Sequence, residues 1–195
     1  MKVTGILFDM DGTITRPFLN FDRIRQEMGG IKGPILEAMA KMTPERRGQV
    51  EAILRGHEER AADQSELNPG VRELLSDLAQ QGRSVGLITR NCRASVEKVC
   101  RKHAIAFEGI VTRENGPVKP DPFGFLLACR RMGVAPDQSI MVGDYLFDLI
   151  CGRRGGGKAV LLCNGKSYQD YLPEADFAIG HLNELPQIIS DLEKG

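Results

Sequence analysis

Short apolar runs alternate with helical segments from Pro69 onward, and this alternation constrains the fold more than any other feature of the sequence. The runs are nearly continuous and rich in branched residues, as in strands buried on both faces. They cover residues 84–88, 109–112, 139–142 and 159–162, and a similar run covers residues 3–8. The pattern predicts a Rossmann-like α/β fold, a parallel sheet with helices on both faces and ligands at the carboxyl ends of its strands.

Several helix ends can be predicted from single residues. Asn68 and Pro69 have the pattern of an N-cap followed by a proline in the first turn, and Asp121-Pro122 repeats it before the stripe of residues 126–132. Residues 152–158 have the spacing of a nucleotide-binding phosphate loop, but a strand follows where such a loop needs a helix. We therefore interpret Gly155–Gly157 as a loose turn between a helix and a strand.

Residues 15–68 break the alternation, because they contain helical patterns only. The predicted helices cover residues 21–28, 34–42 and 44 to about 62. A helical insertion directly after the first strand would lie over the carboxyl edge of the sheet, and we call this segment the cap. The predicted organisation is therefore a core domain of residues 1–14 and 69–195, with the cap at residues 15–68.

Composition and charge exclude several classes of function. Hydrophobic residues make up 42% of the 195 residues and charged residues 27%, which is ordinary for a soluble globular protein. Basic and acidic residues both total 26, so no net charge indicates nucleic acid or an anionic membrane. No signal peptide or membrane span is recognisable, and five unpatterned cysteines indicate reduced thiols. We expect a cytoplasmic protein, either monomer or homodimer.

The segment Asp9-Met10-Asp11-Gly12-Thr13 follows the first predicted strand. Two carboxylates this close can divide the chemistry of a phosphoryl transfer, one attacking phosphorus and the other handling a proton. Gly12 allows the loop to turn its N–H groups toward a phosphoryl group, with Thr13 beside it. The alternative is an Asp-Gly turn with capping aspartates, which is common at strand ends.

Three further polar segments follow strands or open helices, and each has a structural explanation of its own. Thr89 could satisfy a strand-end backbone group, Arg90 could pair on the surface, and Asn91 could cap the next helix. A lone Lys119 is ordinarily solvated. Two more aspartates, in Gly143-Asp144 and at position 148, could simply favour a helix N-terminus electrostatically.

Taken together, these motifs resemble those of the haloacid dehalogenase-like superfamily of phosphatases, over nearly all of the chain outside the cap. The resemblance implies that Asp9 is the nucleophile, forming an aspartyl-phosphate, and that Asp11 is the general acid and base. It implies that Thr89 binds the transferring phosphoryl group and that Lys119 neutralises negative charge. Dehalogenases of the superfamily lack the acid at the position of Asp11.

The same resemblance implies a magnesium site made by Asp9, the backbone carbonyl of Asp11, and Asp144. Asp148 lies one helical turn after Asp144, faces the same way and is a further candidate for this metal site. Three aspartates suit a hard cation, and magnesium keeps waters while binding phosphate oxygens. Gly12, Thr13, Arg90 and Asn91 are further candidates for substrate contacts.

The leading functional hypothesis is a magnesium-dependent phosphatase of a small phosphorylated metabolite, similar to the phosphoglycolate-phosphatase-like branch. A phosphosugar mutase with the same aspartyl-phosphate chemistry is the alternative within enzymes, and a non-catalytic binding protein is the alternative outside them. Arg16, Arg23 and Arg46 of the cap are candidates to meet a substrate anion, although arginines on helices are usually just solvated.

Overall fold

Six parallel strands form the centre of the molecule in the computed structural model, which describes residues 1–165 and 169–195. The strands are β1 (Gly5–Phe8), β2 (Ser84–Ile88), β3 (Gly109–Val111), β4 (Ser139–Gly143), β5 (Lys158–Leu162) and β6 (Phe177–Ile179). Their order in the sheet is β3-β2-β1-β4-β5-β6. The chain therefore builds outward from β1 and then crosses to its other side, so β1 and β4 flank the switch point where such sheets bind ligands.

Eight α-helices accompany the sheet within the described residues. They are α1 (Phe21–Glu27), α2 (Ile35–Met39), α3 (Pro44–Gln64), α4 (Val71–Gln80), α5 (Arg93–His103), α6 (Phe123–Met132), α7 (Leu146–Arg154) and α8 (Leu185–Lys194). The predicted α/β fold with helices on both faces is confirmed.

Alternate residues of β1 pack into different apolar clusters on the two faces of the sheet. Ile6 and Phe8 belong to a large cluster with α4, α5 and α8, whereas Leu7 joins a cluster with α6 and α7. All three side chains are fully buried. A strand with its side chains buried on both faces must be apolar throughout, which is why these strands were recognisable as continuous runs.

The last strand, β6, was not anticipated. It has three residues at the edge of the sheet, and Ala178 at its centre is exposed. Its apolar run of three residues is shorter than the roughly four that mark a buried strand, and it therefore gives no signal that can be distinguished from a loop.

The predicted N-cap at Asn68 is wrong. Helix α4 begins at Val71, after Gly70 with φ of +82°, and no side chain caps it. Asn68 is buried, and its Nδ2 instead donates to the carbonyl oxygens of Gly12 (3.1 Å) and Thr13 (2.8 Å). A residue that appeared to start a helix thus holds the loop after β1.

Helices α1, α2 and α3 lie within the predicted cap and share an apolar cluster of their own. Its buried members are Ile24, Met28, Ile35, Met39, Val50 and Leu54. The two chain crossings between this segment and the sheet lie side by side, since Thr15 pairs with Leu67 and the Arg16 N–H donates to the Glu66 carbonyl (2.9 Å). The domain boundaries at 14/15 and 68/69 remain a prediction, which this pairing supports.

The glycines that follow α7 form a closely packed turn and not the loose one expected. A Cβ on Gly155 would lie 2.3 Å from Cδ1 of Phe125, and one on Gly157 would lie 2.3 Å from Cζ of the same ring. Phe125 is fully buried between α6 and the sheet, so its ring has no room to move away. Glycine is needed here because the backbone touches an aromatic side chain.

We predict that Gly155→Ala lowers the free energy of unfolding by about 1–3 kcal/mol, because the new methyl overpacks the Phe125 ring. Gly56→Ala is the matched control: it lies inside α3 with no atom within 4 Å of the added Cβ, and should stabilise by about 0.5–1 kcal/mol. Chemical denaturation measures both. A Gly155→Ala protein as stable as wild type would contradict the packing described.

Candidate active site

Polar side chains from three adjacent strands meet at the carboxyl edge of the sheet. Asp9 directly follows β1, Thr89 follows β2 and Asp144 follows β4, while β1 lies between the other two strands. Lys119 enters from the loop before α6. Parallel strands place all their carboxyl ends on one edge, so residues up to 135 positions apart in the sequence, from Asp9 to Asp144, line one cavity.

Lys119 is the central cation of this group. Its Nζ lies 2.5 Å from Oδ1 of Asp9, 2.7 Å from Oδ1 of Asp148 and 2.6 Å from the Ile88 carbonyl oxygen. The lysine is only 2% exposed, so its charge is shielded little by solvent. These contacts use all three ammonium protons, and two of them neutralise carboxylates.

Asp9, Asp144 and Asp148 form a compact carboxylate cluster, each offering one oxygen within 4.8 Å of the others. Three hard oxygen donors on a sheet edge fit a magnesium ion, which binds carboxylates and fills its remaining positions with water and phosphate oxygens. The Asp11 side chain is outside this cluster. Its Oδ2 accepts a hydrogen bond from Nδ2 of Asn91 (3.0 Å), which orients the carboxyl group.

Burial raises the pKa values of three carboxyl groups at the site, those of Asp9, Asp11 and Asp144. The pKa of Asp9 lies well above its usual range because of desolvation, which the Lys119 charge opposes. Desolvation and the neighbouring Asp148 raise the pKa of Asp144 to about 7. Burial also raises the pKa of Asp11, although the Asn91 hydrogen bond acts in the opposite direction.

Both carboxylate oxygens of Asp148 already accept protein donors. Oδ1 contacts Lys119, and Oδ2 accepts the N–H of Tyr145 (3.0 Å) at the start of α7. Gly143 permits this arrangement, since a Cβ there would lie 2.3 Å from the Asp148 side chain. The structure therefore places Asp148 as a support for Lys119 as well as a member of the acidic cluster.

Gly12 is required by the close approach of Asp144. It has φ of +93°, and a Cβ at this position would lie 2.2 Å from Oδ2 of Asp144. Its N–H donates to the Thr15 carbonyl (2.9 Å), and its own carbonyl accepts from Asn68 and Asn164 (2.7 Å). The Gly12 N–H is thus occupied in closing the turn.

Thr13 does not line the cavity. It is fully buried, and among the described residues its Oγ1 has no hydrogen-bonding partner. The structure therefore does not bring Thr13 together with the other predicted site residues.

Thr89, Arg90 and Asn91 all line the cavity. Oγ1 of Thr89 accepts the Asn91 N–H (3.0 Å). Arg90 donates from both terminal nitrogens to Glu37 of the cap (2.8 and 2.6 Å), and its guanidinium stacks 5.0 Å from the centre of the Phe147 ring. Helix α5 begins after Cys92, so Asn91 is not its N-cap.

The cavity has a volume of about 680 Å³ and lies between the sheet edge and the cap. Its cap wall is largely apolar, and its charged members are Arg25 and Glu58. Arg16, Arg23 and Arg46 do not line it; they pair with Glu66, Glu27 and the Met28 carbonyl, respectively. Sequence reasoning missed Glu58, because its helix neighbours are mostly charged and no pattern marks one of them as buried.

A parallel sheet with this strand order defines an α/β protein whose ligand site lies at the switch point, which is where the acidic cluster is found. The sequence model of the haloacid dehalogenase-like hydrolase family matches residues 22–162, and the chain belongs to that family. The chain is 28% identical over 208 residues to a haloacid dehalogenase-like hydrolase domain-containing protein of Arabidopsis thaliana, covering 96% of this chain and 84% of the relative.

Two further comparisons agree with this assignment. An N-acetylmuramic acid 6-phosphate phosphatase of Pseudomonas aeruginosa is 26% identical over 220 residues, covering 97% of this chain and 96% of the relative. The crystal structure of a hydrolase from Pseudomonas syringae superposes with a TM-score of 0.78 at 22% identity, covering 95% of this chain and 99% of the other.

No helix among the described residues is long and apolar enough to cross a membrane.

We predict that Gly12→Ala weakens magnesium binding at least about tenfold, because the added methyl displaces the Asp144 carboxylate. Gly70→Ala is the control, since Gly70 has a similar φ of +82° but nothing within 4 Å of the added Cβ. It should share the backbone strain and keep the wild-type affinity in calorimetric titration. Equal affinities for the two variants would argue against the close approach of Asp144.

We also predict that magnesium affinity rises with pH. The pKa of Asp144 is raised to about 7, so below that pH the metal-free carboxyl group is protonated and must lose its proton before binding. Affinity should fall by up to about tenfold per pH unit below about pH 7 and level off above it. Calorimetry at pH 6 and pH 8 tests this, and equal affinities at the two values would contradict it.

Proposed function

We propose that this protein is a magnesium-dependent phosphatase that hydrolyses a small phosphorylated metabolite through an aspartyl-phosphate on Asp9. The observation that carries the proposal is the buried Lys119, which contacts Asp9 and Asp148 beside Asp144 at the switch point of the sheet. This arrangement brings together a carboxylate nucleophile, a positive charge and carboxylates that could bind a metal ion. Phosphoryl transfer depends mainly on such positioning and charge neutralisation.

Asp9, the backbone carbonyl of Asp11, and Asp144 are the proposed ligands of magnesium, with Asp148 nearby. A bound magnesium ion would neutralise negative charge on the phosphoryl oxygens. Because Lys119 already binds Oδ1 of Asp148, we assign Asp148 chiefly to holding the lysine in place. Lys119 would then neutralise charge on the attacking carboxylate and on the phosphoryl group.

In the first half of the proposed reaction, a carboxylate oxygen of Asp9 attacks phosphorus and the bond from phosphorus to the leaving oxygen breaks. Asp11 donates its proton to that leaving oxygen. Burial raises the pKa of Asp11, which favours the protonated form that this step needs. The Asn91 hydrogen bond fixes the direction of the Asp11 carboxyl group.

In the second half, Asp11 removes a proton from water as the water attacks phosphorus. The bond from phosphorus to Asp9 breaks, phosphate is released, and both aspartates return to their starting states. We assign Thr89 to the phosphoryl oxygens and Asn91 to the orientation of Asp11. Gly12 holds the loop that carries both catalytic aspartates, and the buried Thr13 has a supporting role in that loop.

The cap would cover the bound substrate and exclude water that would otherwise compete. The salt bridge between Arg90 and Glu37 supports this role, since it joins the sheet edge to the cap at the cavity. Arg90 thus contributes to the substrate site as part of its wall. The resemblance to phosphoglycolate phosphatases makes phosphoglycolate and small sugar phosphates the first compounds to test.

We predict that the purified protein releases phosphate from an aryl phosphate only with magnesium, and that Asp9→Asn lowers the rate by at least about 10³-fold. Asp121→Asn is the control, because Asp121 is exposed and only caps α6 by accepting the Phe123 N–H (2.8 Å). If wild type releases no more phosphate than Asp9→Asn, the proposed function is wrong. Phosphosugar isomerisation faster than phosphate release would favour a mutase.

A further inference from the structure

Glu58 of α3 is a buried acidic side chain on the cap wall of the cavity. It is 4% exposed, although most of the surrounding helix is solvated. One carboxylate oxygen, Oε1, accepts from the guanidinium of Arg113, which follows β3 in the core. The other oxygen, Oε2, is buried and has no hydrogen-bonding partner among the described residues.

A buried carboxylate oxygen without a donor is unfavourable, because it has lost water and gained nothing in return. Burial raises the pKa of Glu58, and Arg113 acts against that rise. The Cys92 thiol also acts against it, more weakly, from a position outside hydrogen-bonding geometry for Oε2. The energetic deficit disappears if a ligand in the cavity supplies an N–H or O–H group. Oε2 is itself covered, so such a ligand would reach it when the Glu58 carboxylate turns toward the cavity that the residue lines. An unsatisfied acceptor in a residue that lines a substrate cavity therefore indicates the chemistry of what binds there.

Glu58 lies on the same side of the cavity as Asp11. Arg113, which binds Glu58, donates its backbone N–H to the Asn91 carbonyl oxygen (3.3 Å). Asn91 in turn binds Asp11 (3.0 Å), so the two carboxyl groups share one part of the cavity that both residues line. In the proposed reaction Asp11 protonates the leaving oxygen, and the leaving group must therefore extend past it. Glu58 then lies beside the leaving group and not beside the phosphoryl group.

We propose that Glu58 is a specificity-determining residue that accepts a hydrogen bond from a hydroxyl or amino group on the leaving group of the substrate. This inference rests on the proposed phosphatase function. Glu58 in this role would select phosphomonoesters of polyols, sugars or amino alcohols. It disfavours leaving groups that carry a carboxylate, because a second negative charge would face Glu58 and Asp11 in a poorly solvated space.

The rest of the cap wall is consistent with this selection. Arg25, the other charged cap residue at the cavity, already pairs with Asp22 (2.6 Å) and so offers a carboxylate little uncompensated charge. Leu54 lies one turn before Glu58 on α3, and Ile35 lies on α2; both line the cavity with apolar surface. Glu58 is thus the acidic residue of a cap wall that, apart from Arg25, is largely apolar.

The test compares glycerol 3-phosphate with propyl phosphate, which has the same three-carbon leaving group without hydroxyls. Phosphoethanolamine and ethyl phosphate form the corresponding amine pair, and phosphoglycolate provides the carboxylate. For wild type, Glu58→Gln, Glu58→Ala and Glu59→Ala, kcat/KM is measured for each compound. Dissociation constants are measured in the Asp9→Asn background. Glu59 is the matched control, since it is the next residue of α3 and its side chain is 71% exposed.

We expect wild type to prefer at least one hydroxyl- or amine-bearing ester over its matched analogue. Glu58→Ala should lower that preference about tenfold or more, because a hydrogen bond to a charged group is lost. Glu58→Gln keeps an oxygen for Arg113, so it should fold, and it should raise relative turnover of phosphoglycolate several-fold by removing the charge. Glu59→Ala should keep the wild-type ratios. If Glu58 had a purely structural role, its substitution would lower kcat/KM for all substrates alike and leave the ratios between them unchanged.

The two proposals fail in different ways. If all the phosphates are hydrolysed with the same ratios in wild type and in both Glu58 variants, the assignment of Glu58 is overturned and the phosphatase function stands. If no phosphate is released from any compound but the dissociation constants follow Glu58 as predicted, the phosphatase function fails and the assignment of Glu58 stands.

Discussion

The buried ammonium group of Lys119 is the interaction on which the site depends. Asp9, Asp144 and Asp148 would repel one another strongly in a poorly solvated pocket, and burial favours the neutral forms of Asp9 and Asp144. Lys119 contacts two of them and the Ile88 carbonyl, so it offsets charge while joining β1, β2 and α7. The buried positive charge of Lys119 thus allows three carboxyl groups to lie close together at this edge of the sheet.

The order of the strands explains why these groups meet. The crossover after β3 places β4 beside β1, so the loop with Asp9 and the turn with Asp144 become neighbours at one edge. Close packing then sets their separation: Gly12 and Gly143 occupy positions where a Cβ would collide with the Asp144 and Asp148 side chains. The cap completes the cavity from the opposite side through Arg90–Glu37 and Arg113–Glu58 contacts.

Local sequence patterns predicted the elements that bury both faces or carry clear end signals. The strand of residues 84–88 was predicted with the bounds it has, whereas β6 was missed because it has only three residues. Asn68 has the identity of a helix cap, yet its buried amide binds carbonyls 55 and 56 residues away. Sequence spacing carries no information about such a partner, and the glycines beside Phe125 were misinterpreted for the same reason.

The sequence by itself determined the α/β fold, the presence of helices and no long strand in residues 15–68, and the set of polar residues at the strand ends, because periodicity and strand-end position are local properties. Their family resemblance also identified the roles expected of Asp9, Asp11 and Lys119. Only the tertiary structure decided which of them contact one another and that Thr13 is buried away from the cavity. It also decided that Glu58 lines the cavity while one buried carboxylate oxygen has no hydrogen-bonding partner among the described residues. Burial and hydrogen-bond partners depend on distant segments packing together, and no local pattern contains that information.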